Sequence, residues 1–255
     1  METKALHEAI YKRKSVRKYA EEPLEKKILD EISAFIKTTK PLFENVNVEI
    51  KIVQKDEMGK FFAIKAPQYI LVSSEKKEGY LLNVGFMLQQ IDLYLSSKGL
   101  GSCWLGVAKP KKYFKLDKNM DYVIALAFGK PLESVHRERL SEFIRKPIDQ
   151  ICHVKDNSFI EAARLAPSAT NSQNWYFTGT GDMIHAYRLR LNPIKALIYE
   201  RLNKIDMGIA FCHIWLAAGQ QGREVVFLEN QEAKGNPPSG YEYELTVKIL
   251  AEKKL

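Results

Sequence analysis

Two long apolar segments, one in each half of the chain, place the strongest constraint on the fold. GYLLNVGFMLQQIDLYLSSK covers residues 79–98 and is followed by Gly99, and KIDMGIAFCHIWLAAGQQG covers residues 204–222 and itself ends in glycine. A helix that is apolar on every side is typical of a protein core, and glycine is typical of the position after a helix C-terminus. The sequence therefore predicts one long core helix in each half.

Shorter elements surround the two core helices in a similar order. A helical pattern over residues 22–37 precedes the first core helix and one over 159–166 precedes the second. Runs rich in β-branched and aromatic residues predict strands over 48–53, 69–74 and 121–129, and over 175–180, 225–229 and 241–249. Residues 230–240 are predicted to form a flexible loop. The order indicates a duplicated α+β unit, although two unrelated halves that share common elements would give the same pattern.

The composition is that of a soluble globular protein. The 255 residues are 45% hydrophobic and 27% charged, and the apolar runs are too short to cross a bilayer. A charged N-terminal segment without a leader pattern favours a cytoplasmic location and no membrane partner. The net charge of +8 favours an anionic partner. Because no nucleic-acid-binding signature is present, we predict a small molecule and no nucleic acid.

The cysteines indicate neither a disulfide framework nor a metal site. There are three of them, and each is far from the others in sequence. Cys152-His153 and Cys212-His213 combine zinc-binding residue types. Adjacent residues on a regular element point in different directions, so we predict no metal.

A basic segment near the N-terminus has the composition of a phosphate receptor. In RKSVR, residues 13–17, alternate side chains of an extended backbone share a face, so Arg13, Ser15 and Arg17 are predicted to point the same way. Guanidinium groups flanking a hydroxyl suit a phosphate and its sugar. The alternative is an ordinary solvated basic stretch.

Two further segments combine features that suit a ligand site. GLGSCWLG, residues 99–106, allows close backbone approach at its glycines, although it would also serve as a plain helix end. APSATNSQNW, residues 166–175, forms a polar turn whose amides and side chains suit a flat heterocycle, although it would also serve as a plain loop.

Together, the three segments resemble the signature of the nitroreductase family of FMN-dependent oxidoreductases. The resemblance covers nearly the whole chain. In ordinary members the arginine-serine segment and the Pro-Ser-Asn turn lie close together in one subunit of a homodimer, whereas here about 150 residues separate Ser15 from Pro167. The resemblance therefore implies an α+β, nitroreductase-like fold in which two related halves, with antiparallel sheets and long core helices, are fused into a single-chain pseudo-dimer.

The resemblance also implies one FMN per chain. The first half, residues 1–135, carries the arginine-serine and glycine segments, and the second half, residues 136–255, carries the Pro-Ser-Asn turn. The corresponding mirror segments, KTTKPLFENVN, FIRKPID and AAGQQGREVVF, lack the motif residues. We therefore expect one intertwined unit that is monomeric and holds a single flavin.

The family pattern assigns roles to individual residues. Arg13 is expected to hold the phosphate and Ser15 to lie near the phosphate or the ribityl chain, while Arg17 faces the pyrimidine edge of the ring. The remaining assignments are the amides of Leu105 and Gly106 at the N5 and O4 edge, the ring cover of Pro167, Ser168, Ala169 and Asn171, and further phosphate contacts from Arg137, Arg139 and Lys14.

The implied activity is ping-pong transfer of two electrons from NAD(P)H, through FMN, to a small-molecule acceptor such as a nitroaromatic or a quinone. No side chain is assigned a catalytic role, because the cofactor carries the chemistry. Asn174 stands where the family has a proline, so the identity of the acceptor stays open. The alternative function is a flavin-binding storage or sensor protein without significant turnover.

Overall fold

The computed structural model describes residues 2–59, 64–111, 117–154 and 157–251. Its helices are α1 (Glu2–Ile10), α2 (Lys26–Ile36), α3 (Tyr80–Ser97), α4 (Ser158–Arg164), α5 (Pro193–Gln220) and α6 (Gln231–Gly235). Its strands are β1 (Val48–Gln54), β2 (Gln68–Ser74), β3 (Gly101–Leu105), β4 (Asp121–Gly129), β5 (Trp175–Thr180), β6 (Met183–Leu189), β7 (Val225–Leu228) and β8 (Tyr241–Ile249). No helix in these ranges has both the length and the apolar character that crossing a membrane requires.

The chain divides into two compact units, of which one is discontinuous in sequence. Lys12–Glu142 forms the first unit, and Met1–Tyr11 together with Phe143–Leu255 forms the second. Helix α1 belongs to the second unit because it packs along α5. The predicted ranges 1–135 and 136–255 assign α1 to the first half and residues 136–142 to the second, which is the reverse of the observed division. The roles given to the two halves stay a prediction.

The first unit is built on a four-stranded antiparallel sheet with the order β1-β2-β4-β3. Every residue of β2 is buried, and in the register of the sheet Ile70 lies opposite Leu126, which in turn lies opposite Trp104. Helix α3 connects β2 to β3 and is buried on nearly every side, as its uniform apolar composition predicts.

The second unit has the same arrangement. Its antiparallel sheet has the order β5-β6-β8-β7, and α5 connects β6 to β7 as α3 connects β2 to β3. Both sheets also contain a register irregularity at the equivalent strand pair, β2 with β4 in the first unit and β6 with β8 in the second. The prediction of two α+β units with antiparallel sheets and long core helices is therefore confirmed.

The two core helices end in the same way. Gly99 and Gly222 adopt φ values of 73° and 69° just after the helices. The amide of Leu100 donates to the Leu95 carbonyl at 2.9 Å, and the amide of Arg223 donates to the Ala218 carbonyl at 3.0 Å. These bonds satisfy carbonyls that the helix end would otherwise leave unpaired, and the positive φ explains why glycine ends both segments.

Several elements differ from the sequence predictions. Helix α5 begins at Pro193 instead of residue 204, because Asn192 caps it by accepting from the Lys195 amide at 2.9 Å. Part of the predicted glycine stretch is strand β3, and β6 was not predicted. The predicted loop 230–240 contains α6, whose cap is the side chain of Asn230.

Candidate functional site

The arginine-serine segment lies beside strand β3 in the first unit. The Val16 amide donates to the Ser102 carbonyl at 2.9 Å, and the Val16 side chain is part of the hydrophobic core together with Tyr19 and Leu105. A Cβ added at Gly101 would lie 2.8 Å from Val16 Cγ1, closer than van der Waals contact allows. The glycine segment is therefore the surface against which the arginine-serine segment packs.

Gly101→Ala is expected to destabilise the first unit by about 1–3 kcal/mol, because the new methyl group displaces the segment that contains Val16. Urea denaturation measures the change. Gly181→Ala is the matched control, since a Cβ at Gly181 meets nothing within 4 Å. Equal stability of the two variants would show that the segment does not pack against β3 as described.

Arg13 is a buried charge, and its partners come from the first unit. Only 1% of the residue is exposed, its Nε lies 3.1 Å from Asp92 Oδ2, and its Nη2 donates to Ser15 Oγ at 3.3 Å. Ser102 Oγ donates to Asp92 Oδ1 at 2.5 Å. Helix α3 and strand β3 thus fix the position of the guanidinium through a buried carboxylate.

Arg13, Ser15 and Arg17 all affect the pKa of the buried Cys103 thiol on β3. Burial raises the pKa of Cys103, and the positive charges of Arg17 and Arg13 and a hydrogen bond from Ser15 oppose the rise. Within the segment, Arg13 Nη2 donates to Ser15 Oγ, which places these two side chains together. Arg17 is exposed, and its amide donates to Glu133 Oε1 at 2.9 Å.

Residues 130–137 run antiparallel to the arginine-serine segment and bring a further cation to it. Arg13 and His136 form an antiparallel β-bridge through their backbones. The Arg137 side chain donates through Nη1 to the Arg13 carbonyl and through Nε to the Glu142 carbonyl at 3.3 Å. Burial, and then the charge of Arg13, lower the pKa of Arg137 to about 10. A guanidinium group whose charged form is disfavoured by burial and by a neighbouring guanidinium is a favourable setting for a phosphate.

The other predicted residues of the first unit lie around this cluster at different depths. Lys14 is partly exposed, and its amide donates to the Val135 carbonyl at 3.4 Å. Arg139 is exposed, and its amide donates to Glu142 Oε1 at 3.2 Å. Leu105 is buried at the end of β3, and Gly106 directly after it is exposed.

The Pro-Ser-Asn turn of the second unit follows α4 and has an unusual backbone. Thr170, Asn171 and Gln173 have φ values of 53°, 58° and 49°, in the left-handed region. This conformation is costly for residues other than glycine, and above all for β-branched threonine. Pro167, Ser168 and Ala169 are partly exposed, and Asn171 is exposed.

Hydrogen bonds within the second unit hold this turn in place. Arg145 Nη1 donates to Asn171 Oδ1 at 2.8 Å, and Lys146 Nζ donates to the Gln173 carbonyl at 3.0 Å. The Gln173 amide donates to Ser168 Oγ at 3.0 Å, and the Ala169 amide donates to both carboxyl oxygens of Asp206, at 3.1 and 3.0 Å. The side chain of Asn171 is therefore a structural part of the turn.

Sequence reasoning missed Asp92 and Asp206, the two acidic residues that fix the predicted motifs. Each lies within a long apolar helix and is at least 95% buried. A single acidic residue in such a run is a usable signal, because Asp is rarely buried without a partner. Ser102 and Arg145, which complete the two networks, carry no comparable signal.

The Cys-His pairs have other partners. The Val154 amide donates to Cys152 Sγ at 3.0 Å, and His213 Nδ1 lies 2.8 Å from the Ala162 carbonyl. Over the described ranges, no group of three or more His, Cys, Asp or Glu side chains is placed to hold a metal ion.

Comparison with known proteins identifies relatives of this chain. A family model described as "Putative TM nitroreductase" matches residues 5–218, a range that extends into both units. A crystal structure described as a "putative nitroreductase" from Thermotoga maritima is 24% identical in sequence and has a TM-score of 0.62. The match covers 96% of this chain and 92% of the Thermotoga chain. A nitroreductase family protein from Clostridium difficile is 19% identical, with a TM-score of 0.47, and the match covers 56% of this chain and 94% of the Clostridium chain. No curated protein sequence matches the chain.

Proposed function

Since this chain belongs to the nitroreductase family whose model it matches over residues 5–218, we propose that it is an FMN-dependent oxidoreductase. The donor is NADH or NADPH, and the acceptor is a small nitroaromatic, a quinone or a similar molecule. The observation that carries the proposal is the cluster of Arg13, Ser15 and Arg137 beside β3. That cluster combines the donors and the charge that a flavin phosphate needs.

The structure supports a division of labour among the phosphate-binding residues. Arg13 is buried against Asp92, which balances its charge, so its part is to fix the hydroxyl of Ser15. Ser15 and Arg137 are partly exposed, and Arg139 is exposed. We propose that these three residues make the direct phosphate contacts, with Lys14 at the edge of the same cluster.

The remaining assignments concern the flavin ring and rest on the family pattern. Arg17 would place positive charge at the pyrimidine edge, and the amides of Leu105 and Gly106 would bind the N5 and O4 edge. It stays a prediction that the turn with Pro167, Ser168, Ala169 and Asn171 covers the ring of the same flavin. Because the Asn171 side chain is bound by Arg145, its contribution would come from the backbone.

When bound, FMN supplies two-electron redox chemistry between a nicotinamide donor and an acceptor. The protein's part is to bind the cofactor, to orient it and to stabilise negative charge on it through Arg17. No side chain needs to act as a nucleophile or a general base. Asn174 stands where the family pattern has a proline beside the predicted ring position, so the acceptor is proposed only as a class.

Anaerobic mixing with NADH or NADPH tests the proposed function. The FMN-loaded protein is expected to lose its yellow colour on mixing and to recover it when a nitroaromatic or a quinone is added. Arg17→Ala is expected to slow the loss of colour, whereas Lys18→Ala, an exposed neighbour, is the matched control. A flavin that stays oxidised with both nicotinamides would contradict the proposal and favour storage or sensing.

A further inference from the structure

Asp206 is a buried carboxyl group on helix α5 that binds one amide of the Pro-Ser-Asn turn. The residue is 5% exposed, and both of its side-chain oxygens accept from the Ala169 amide. The next two residues of the turn have left-handed φ values, which are costly above all for the β-branched Thr170. The contact between Asp206 and Ala169 therefore acts at the start of the strained stretch.

The first unit contains an equivalent contact at the matching place. Asn83 on helix α3 accepts through Oδ1 from the amides of Leu42 at 2.7 Å and Phe43 at 3.1 Å. Asn83 precedes Gly99 by 16 residues, and Asp206 precedes Gly222 by 16 residues. Each of these side chains thus binds the loop that follows the preceding short helix, from the same position of the core helix.

The two equivalent side chains differ in chemistry. The amide group of Asn83 also donates, at 3.4 Å each, to the carbonyls of Phe43 and Val46, so it binds its loop with donors and acceptors. Asp206 has oxygens only, and the contacts of its carboxyl group are to a single amide of the turn. The same position of the core helix therefore binds a loop in both units. In the unit that carries the Pro-Ser-Asn turn the residue there is Asp206, which can titrate, and in the other unit it is Asn83, which cannot.

We infer that Asp206 is a positioning residue that fixes the Pro-Ser-Asn turn against the bound flavin through the Ala169 amide. The inference rests on the proposed function, because the flavin is its readout. The equivalent Asn83 shows that this position of the core helix binds the following loop in both units.

The protonation of Asp206 makes this role measurable. Burial raises its pKa to about 8, and the hydrogen bond from the Ala169 amide opposes the rise. The carboxyl is thus neutral in the closed turn and would ionise readily if the turn opened to water. Rising pH consequently favours opening, and this effect levels off above about pH 8.

Charged groups on the elements packed against α5 do not account for this pKa. Those described on α1, α4, β6, β8 and α5 itself are Lys4, His7, Glu8, Glu161, Arg164, His185, Arg188, Glu242, Glu244, Lys248, Lys195, Glu200, Arg201, Lys204 and His213. Burial and the Ala169 amide are the causes of the shift in Asp206. A pH effect that is lost with the Asp206 carboxyl is therefore attributable to that group.

Titration of FMN into three variants, followed by flavin fluorescence, tests the inference. Asp206→Ala is expected to weaken FMN binding about tenfold at neutral pH, since it leaves the Ala169 amide without its acceptor. Asp206→Asn keeps an acceptor oxygen, as Asn83 does, and is expected to bind within about threefold of the natural protein. The matched control Asn83→Ala loosens the loop of the first unit and is expected to leave FMN affinity within about twofold.

The pH profile distinguishes positioning from a general loss of stability. Between about pH 6 and pH 8, the FMN affinity of the natural protein is expected to fall relative to that of Asp206→Asn. The ratio of the two affinities cancels the titration of the FMN phosphate itself. A ratio that is constant across this range, or unchanged affinity in Asp206→Ala, would overturn the inference.

Hydrogen exchange without FMN separates this inference from the proposed function. Residues 166–174 are expected to exchange faster in Asp206→Ala than in Asp206→Asn, whether or not the protein binds flavin. If the natural protein binds no FMN, the proposed function fails, and the exchange data still decide whether Asp206 positions the turn. If exchange in this stretch is the same in both variants, the positioning role itself is contradicted.

Discussion

Replacing Arg13 by alanine is expected to destabilise the protein by about 3–5 kcal/mol, because the change leaves the Asp92 carboxylate buried without its counter-charge. Among the described residues, Ser102 would remain as its hydrogen-bond donor. Urea denaturation measures the loss. Lys18→Ala, an exposed change directly after the same segment, is expected to alter stability by less than about 0.5 kcal/mol.

A double-mutant cycle with Asp92→Asn shows whether the loss comes from the ion pair. Removing both charges is expected to cost clearly less than the sum of the single changes, because neither partner is then left buried and unpaired. Additive costs would contradict the ion pair.

Arg13→Ala is also expected to weaken FMN retention. Unchanged FMN affinity in this variant would count against any part of Arg13 in phosphate binding.

Asp206→Asn is expected to change how the stability of the protein depends on pH. The pKa of Asp206 is about 8 in the folded protein, against 3.8 as its ordinary value. Between these values the folded state holds a proton that the unfolded state has lost, so stability falls as pH rises and levels off above about 8. The asparagine variant lacks this loss, so it gains stability relative to the natural protein by up to about 1.4 kcal/mol per pH unit.

Chemical denaturation of both proteins at a series of pH values between about 4 and 9 measures this difference. Asp149→Asn removes an exposed carboxyl and serves as the control, with an expected pH-dependent change below about 0.5 kcal/mol. A stability difference between Asp206→Asn and the natural protein that is the same at every pH would show that Asp206 keeps an ordinary pKa in the fold.

The elements that the sequence predicts well are those whose local chemistry agrees with their packing. Helix α3 is apolar throughout and ends at a glycine of positive φ, and strand β8 has the predicted bounds Tyr241–Ile249. By contrast, β6 mixes His185 and Arg188 with apolar residues, so its sequence lacks a clear strand pattern. These polar side chains are accommodated because they bind partners on β8. The first turns of α5 expose Ile194 and Leu197, so they lack a pattern that indicates a packed helix.

The candidate site divides in the same way. The motifs are visible in the sequence because each is a short contiguous run. Their supports are not, since Asp92 is far from Arg13 in sequence and Asp206 is far from Ala169. The depth of Arg13 also depends on the fold, since an arginine in a basic segment is ordinarily exposed.

The stoichiometry of FMN binding tests the central claim most directly. The purified protein, reconstituted with excess FMN and freed of unbound cofactor, is expected to retain one FMN per chain, measured by flavin absorbance after denaturation against protein concentration. This follows from a single intact set of motifs among two duplicated units. A colourless protein that cannot be reconstituted would contradict the flavin assignment, and two FMN per chain would contradict the single site.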